Sequence, residues 1–251
     1  MSNSTLYAFI LSFLAGISTV IGSFIIFFDK NKESRVVTYS LSFAAGVMIC
    51  VSITDLLPNC YNTILQYDNF LKLLLTLIFM VIGIIISMII DKYVPDYSDK
   101  DSRGLYKIGI ISMIAIILHN IPEGIATFIT SSNNIKLGIT LSVAIALHNI
   151  PEGISIAIPI YHSTNSKFKA ITYSLISGLS EVLGSILAYL FLKPIINNFI
   201  MASLYAIIAG IMLHISVYEL IPASYTKGSL KPVLKGFIIG FIIMFVSHLL
   251  F

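Results

Sequence analysis

The sequence predicts an all-α integral membrane protein of eight transmembrane helices in a 3+2+3 arrangement. Three observations carry this: the composition, the spacing of the apolar runs, and two internal repeats. Apolar residues make up 57% of the 251 positions and charged residues 11%, against about 25% charged in an ordinary soluble domain. So few charges cannot cover a water-facing surface, which excludes a soluble enzyme and makes the lipid bilayer the solvent. The net charge is +3, with the basic residues scattered at segment ends. That is unlike the clustered basic face of a nucleic-acid binder, so no nucleic-acid partner is expected. Cys50 and Cys60 are too few for a disulfide framework or a four-cysteine zinc site.

A helix needs about 20 mostly apolar residues to span hydrocarbon. Apolar runs between polar or proline-bearing breaks fall at 5–28, 36–57, 71–90, 108–130, 137–159, 170–192, 201–222 and 234–251. Together they predict a single transmembrane domain over 1–251. The first run has no basic region ahead of it and is too long for a signal-peptide core, so it is read as a span. The second stops at Leu57, before Pro58, and the seventh at Pro222. The third lies between Lys72 and Lys92. The fourth and fifth carry internal prolines, Pro122 and Pro151, and the sixth carries Glu181 in Ser-Gly-Leu-Ser-Glu. In the eighth, Gly236 and Gly240 form a small-xxx-small face. It suits close packing against a neighbouring helix, with a homodimer contact as the alternative.

Basic residues orient the bundle, because Lys and Arg are retained in cytoplasmic loops. All but Lys72, Lys136 and Lys193 of the 15 basic residues lie in or beside the odd-numbered loops. These are Lys30, Lys32 and Arg35; Lys92, Lys100, Arg103 and Lys107; Lys167 and Lys169; and Lys227, Lys231 and Lys235. The asymmetry predicts that both termini are extracytoplasmic.

Residues 118–125 (LHNIPEGI) recur unchanged at 147–154, and 45–58 (AGVMICVSITDLLP) aligns without gaps to 209–222 (AGIMLHISVYELIP), with Asp55 opposite Glu219. In the eight-helix count the second helix runs outward and the seventh inward. Similar segments of opposite topology mark an inverted-repeat transporter. Helices 1–3 and 6–8 form the repeats and helices 4 and 5 lie between them, with Asp55 near the outer mouth and Glu219 near the inner.

Glu123, Glu152 and Glu181 fall near mid-span, where an unpaired carboxylate costs about 2.5–3.5 kcal/mol on the insertion scale. Positions i, i+1 and i+4 share one helix face. His119, Asn120 and Glu123 therefore converge, as do His148, Asn149 and Glu152. Pro122 and Pro151 free the carbonyls of Leu118 and Leu147 and kink the chain at the ligands. Imidazole with carboxylate suits zinc, ferrous iron, cobalt, nickel or cadmium better than magnesium or calcium. Two glutamates able to bridge, flanked by histidines and asparagines, predict a binuclear site. Met48, Ser52 and Asp55 form a stripe along the second helix, in which Met48 offers a thioether. The bland alternative is a network in which His, Asn and Glu satisfy one another, but it gives no reason for duplicating the whole set. Asp55 and Glu219 read equally well as solvated helix-end carboxylates, and His214, on the face opposite Met212, Ser216 and Glu219, is an exit-path candidate. His162 and His248, at a loop and a terminus, receive no role.

These segments resemble the ZIP (Zrt-, Irt-like) family, closest to its bacterial ZupT-type subgroup, and the resemblance covers essentially the whole chain. It implies that His119, Asn120, Glu123, His148, Asn149, Glu152 and Glu181 form the transport site, with Met48 matching a helix-two ligand of some members. It also implies uptake of zinc, iron, manganese, cobalt or cadmium across the cell membrane into the cytoplasm, as cargo rather than as cofactors. The loop 91–107 holds no histidine, unlike the His-rich loop of many relatives, so no metal sensor is expected there.

No G-x-x-x-x-G-K-[ST] segment occurs, so movement runs down a gradient or is coupled to another ion. The competing classes are an intramembrane metallohydrolase, which needs an open metal position and a general base, and a metal-gated channel. The zincin H-E-x-x-H is absent, and no enzymatic activity is expected. Because ligating imidazole must be neutral and carboxylate ionised, metal affinity falls below about pH 6. Equilibrium zinc binding that stays constant from about pH 7.5 to about pH 5 contradicts this ligand set.

Overall fold

The computed structural model describes residues 3–28, 34–64, 67–93, 103–192, 197–226 and 229–250. Among them, eight helices are long and apolar enough to cross a membrane. They are α1 (Asn3–Phe27), α2 (Arg35–Thr63), α3 (Asn69–Tyr93), α4 (Gly104–Asn133), α5 (Ile135–Thr164), α6 (Lys167–Phe191), α7 (Asn198–Tyr225) and α8 (Leu230–Leu249). No strand occurs among the described residues, so the chain is an all-α membrane protein. The orienting residues Lys30, Lys32, Lys100, Lys193 and Lys227 lie outside the described residues.

α1, α4, α5 and α6 each pack against the other three, while α2 pairs with α8 and α3 with α7. α2 meets α5, and α4 meets α7, where the two groups join. α4 is the most enclosed of the central helices, with 67% of its apolar window buried, against 17% for α3 and 22% for α8. Polar residues therefore concentrate on the inner helices, where they escape lipid, and α3 and α8 present aliphatic flanks outward.

Contacts recur in pairs that relate α1 to α6, α2 to α7, α3 to α8 and α4 to α5. Small residues let membrane helices approach closely. A side chain added at Gly46 would meet the Phe237 carbonyl, and one at its counterpart Gly210 the Met80 carbonyl. Gly240 likewise faces the Phe43 carbonyl and Gly83 the Ile207 carbonyl, while Gly16 and Gly178 face each other. The small face of α8 is thus used within the chain, Gly236 against Ser42 and Gly240 against Phe43 of α2.

α2 and α7 do not stop at their prolines. In each, a widened π-helical turn precedes the proline: Ser52–Leu56 before Pro58, and Ser216–Leu220 before Pro222. At its start a serine hydroxyl donates to the methionine carbonyl one turn back, Ser52 to Met48 and Ser216 to Met212, both at 2.8 Å. The proline then opens a fresh helical segment, Leu57–Thr63 or Ile221–Thr226, where its missing N–H is no loss. The wide turns carry Asp55 and Glu219. Such turns cluster at functional sites.

Candidate metal centre

α4 and α5 run as unbroken helices through Pro122 and Pro151, each presenting its His, Asn and Glu toward the other. All six side chains are buried, and Glu181 of α6 is fully so. His148 Nε2 lies 2.9 Å from Glu123 Oε1. His119 Nε2 lies 3.0 Å from the same oxygen and 3.4 Å from Glu152 Oε1, off hydrogen-bonding alignment in both cases. The two imidazole rings are 5.9 Å apart, centre to centre. Ligand atoms of His119, Glu123 and His148 all fall within 4.8 Å of one another, which is the spacing of groups around one small cation.

The asparagines are fixed from behind. Asn120 Nδ2 donates to the Ser177 carbonyl of α6 and Asn149 Nδ2 to the Ala15 carbonyl of α1, both at 3.1 Å. Asn149 Nδ2 also donates to Glu181 Oε2 at 3.1 Å, which draws the third glutamate into the group. With their amide nitrogens engaged, both asparagines keep Oδ1 without a hydrogen-bond partner among the described residues. Glu123 Oε2, both oxygens of Glu152 and Glu181 Oε1 are in the same state. Buried polar atoms are normally paired, so a concentration of unpaired acceptors identifies a place built for a positive charge.

The motif glycines set the helix spacing. A Cβ at Gly124 would lie 1.8 Å from the Glu181 carbonyl oxygen, and one at Gly153 would lie 1.8 Å from the Thr19 carbonyl oxygen. Only glycine lets α4 and α5 come this close to α6 and α1.

Other candidates lie elsewhere. Met48 is fully buried in the main apolar core together with Met212. Asp55 is half-buried, and its Oδ1 accepts from Asn59 Nδ2 at 2.7 Å. His214 Nδ1 is 2.9 Å from Ser87 Oγ of α3, with its ring stacked 4.9 Å from Tyr218. Glu219 lies within hydrogen-bonding reach of Asp91, and Asp91 lies 3.0 Å from Lys107 Nζ. A cavity of about 370 Å³ runs from the metal centre toward the α4–α5 connection, its wall including Asp55, Asn59, Glu123, His148, Tyr205 and His248. Tyr205 and His248 carry no motif, and a place at a helix end hid the second of them.

A buried, acceptor-rich cluster between membrane helices, open to a polar-mouthed cavity, defines a membrane protein organised around a cation site. The chain belongs to the ZIP family: the family model described as ZIP Zinc transporter matches residues 95–248. It is 41% identical to the zinc transporter ZupT of Streptococcus mutans over all of both chains. Against the zinc transporter ZupT of Campylobacter jejuni it is 40% identical, covering 96% of this chain and 94% of the other. With that of Clostridium perfringens the figure is 37%, covering 99% and 97%. The chain is accordingly a multi-pass membrane protein of a transporter family, not an enzyme.

Proposed function

We propose that the chain carries Zn²⁺ across the cell membrane into the cytoplasm, with Fe²⁺, Mn²⁺, Co²⁺ and Cd²⁺ as further cargo. The carrying observation is the group of buried, unpaired acceptor oxygens beside two imidazoles. Zinc takes nitrogen and oxygen ligands together, whereas calcium and magnesium favour oxygen shells. The names of the similar transporters support zinc as the first substrate.

The donors divide into two sets. His119, His148 and Glu123 would hold one ion, with Glu152 beside it. Asn120, Asn149, Glu152 and Glu181 would hold a second, bridged to the first by the glutamates. The direction rests on the basic residues of the odd-numbered loops, which place Asp55, His248 and the cavity mouth outside. An ion enters there, sheds water, binds at the centre and leaves past Glu219.

Uptake of radioactive zinc by proteoliposomes holding the purified protein tests the reading. Saturable uptake, competed by Fe²⁺ and Cd²⁺ but not by an excess of Mg²⁺ or Ca²⁺, is expected. Protein that binds zinc tightly but moves none overturns it. For the second position, Glu181→Ala is expected to lower the zinc bound per chain by one ion in equilibrium dialysis. Unchanged stoichiometry leaves a single-ion centre.

A further inference from the structure

We propose that Asp55 and His248 form a separate transition-metal capture site at the cavity mouth, distinct from the buried centre. The inference rests on the transport reading for its purpose but not for its detection. Three observations lead to it. First, both residues line the one cavity whose inner wall holds Glu123 and His148, so an ion cannot use that route without passing them. Second, the two chemistries are complementary. Asn59 Nδ2 engages Asp55 Oδ1 at 2.7 Å and so orients the carboxylate, leaving Oδ2 to bind. His248 supplies an imidazole from another helix.

The third observation is the internal symmetry. Asp55 and Glu219 occupy matching positions in the aligned segments of α2 and α7. The reciprocal contacts of Gly83 with Ile207 and of Gly240 with Phe43 fix the register of α3 on α8. In that register His248 stands about two turns beyond Gly240, as Asp91 stands beyond Gly83. At the other end of the molecule, Asp91 lies within hydrogen-bonding reach of Glu219. The equivalent pair is therefore already side by side, which places His248 next to Asp55 at the mouth.

The two ends differ in chemistry. The pair at the α3 end is all carboxylate, with Lys107 Nζ 3.0 Å from Asp91. The pair at the mouth joins one carboxylate to one imidazole. A nitrogen donor discriminates against calcium and magnesium, which favour oxygen ligands. The mouth then enriches transition metals ahead of the buried centre and raises the rate at low metal concentration.

The test uses the full chain in lipid nanodiscs with Zn²⁺ as the probe. In a Glu123→Ala, Glu152→Ala background, which removes the buried centre, one zinc per chain is expected to remain in equilibrium dialysis. Adding His248→Ala is expected to remove it. The proposal is overturned if the background variant holds no zinc, or if its zinc survives His248→Ala. Independently, His248→Ala in the otherwise intact chain is expected to raise the zinc KM of uptake several-fold with Vmax kept, and an unchanged KM overturns the proposal. His248→Asp makes the mouth all-oxygen and is expected to strengthen Ca²⁺ inhibition of zinc uptake about tenfold, which a merely structural histidine would not do. Absence of uptake by the intact chain defeats the transport reading alone, since zinc at the mouth is read by binding.

Discussion

Zinc uptake is expected to fall at least about a hundredfold when Glu123 and Glu152 are both replaced by alanine. Truncating one partner of a buried charge pair costs about 3–5 kcal/mol, and each 1.4 kcal/mol is about tenfold in affinity. Here the truncated groups are the two carboxylates nearest the imidazoles, His148 Nε2 at 2.9 Å from Glu123 and His119 Nε2 at 3.4 Å from Glu152. The same double variant is not expected to unfold. Several carboxylate oxygens in the metal-free centre lack hydrogen-bond partners. Replacing such a group with apolar side chains is often neutral or stabilising. Thermal unfolding in nanodiscs therefore separates the two effects. The metal-free midpoint should be unchanged or higher, while the rise caused by zinc, which follows from ligand binding to the folded state, should largely disappear. A variant that unfolds without metal would mean that the glutamates hold the helices together rather than the cargo.

The parts of this arrangement that were legible in the sequence are those in which chemistry and spacing coincide on one element. The doubled His-Asn-Ile-Pro-Glu-Gly segment states its own ligand face, because side chains at i, i+1 and i+4 converge. The spans follow from hydrocarbon thickness alone. What stayed hidden depends on partners that sequence does not mark. The asparagine amides donate to the carbonyls of Ala15 and Ser177, and any residue has a carbonyl. Pro58 and Pro222 read as helix ends, yet the helices continue, because a widened turn absorbs the missing donor. His248 looked like a terminal residue until the register of α3 on α8 gave it a counterpart. The same register shows why Gly236 and Gly240 need no second chain: α2 already fills their face.

The motif glycines give the other large effect. Gly124→Ala sets a methyl group 1.8 Å from the Glu181 carbonyl oxygen, against 3.4 Å or more in ordinary contact. The obstacle is backbone, which cannot swing aside, so α4 and α6 must separate. Overpacking of this kind costs about 1–3 kcal/mol and occasionally more. The displacement also pulls Glu181 from Asn149, now 3.1 Å away, and so from the proposed second ion. Gly153→Ala meets the Thr19 carbonyl at the same 1.8 Å, but Thr19 supplies no ligand. Both variants should lose comparable thermal stability, whereas Gly124→Ala should additionally lower zinc stoichiometry toward that of Glu181→Ala. Gly104→Ala, with nothing within 4 Å of the added carbon, should leave stability and uptake unchanged. If Gly124→Ala and Gly153→Ala instead bind equal zinc and lose equal uptake, helix spacing alone governs the rate, and the placement of Glu181 by α6 is not what the motif glycine protects.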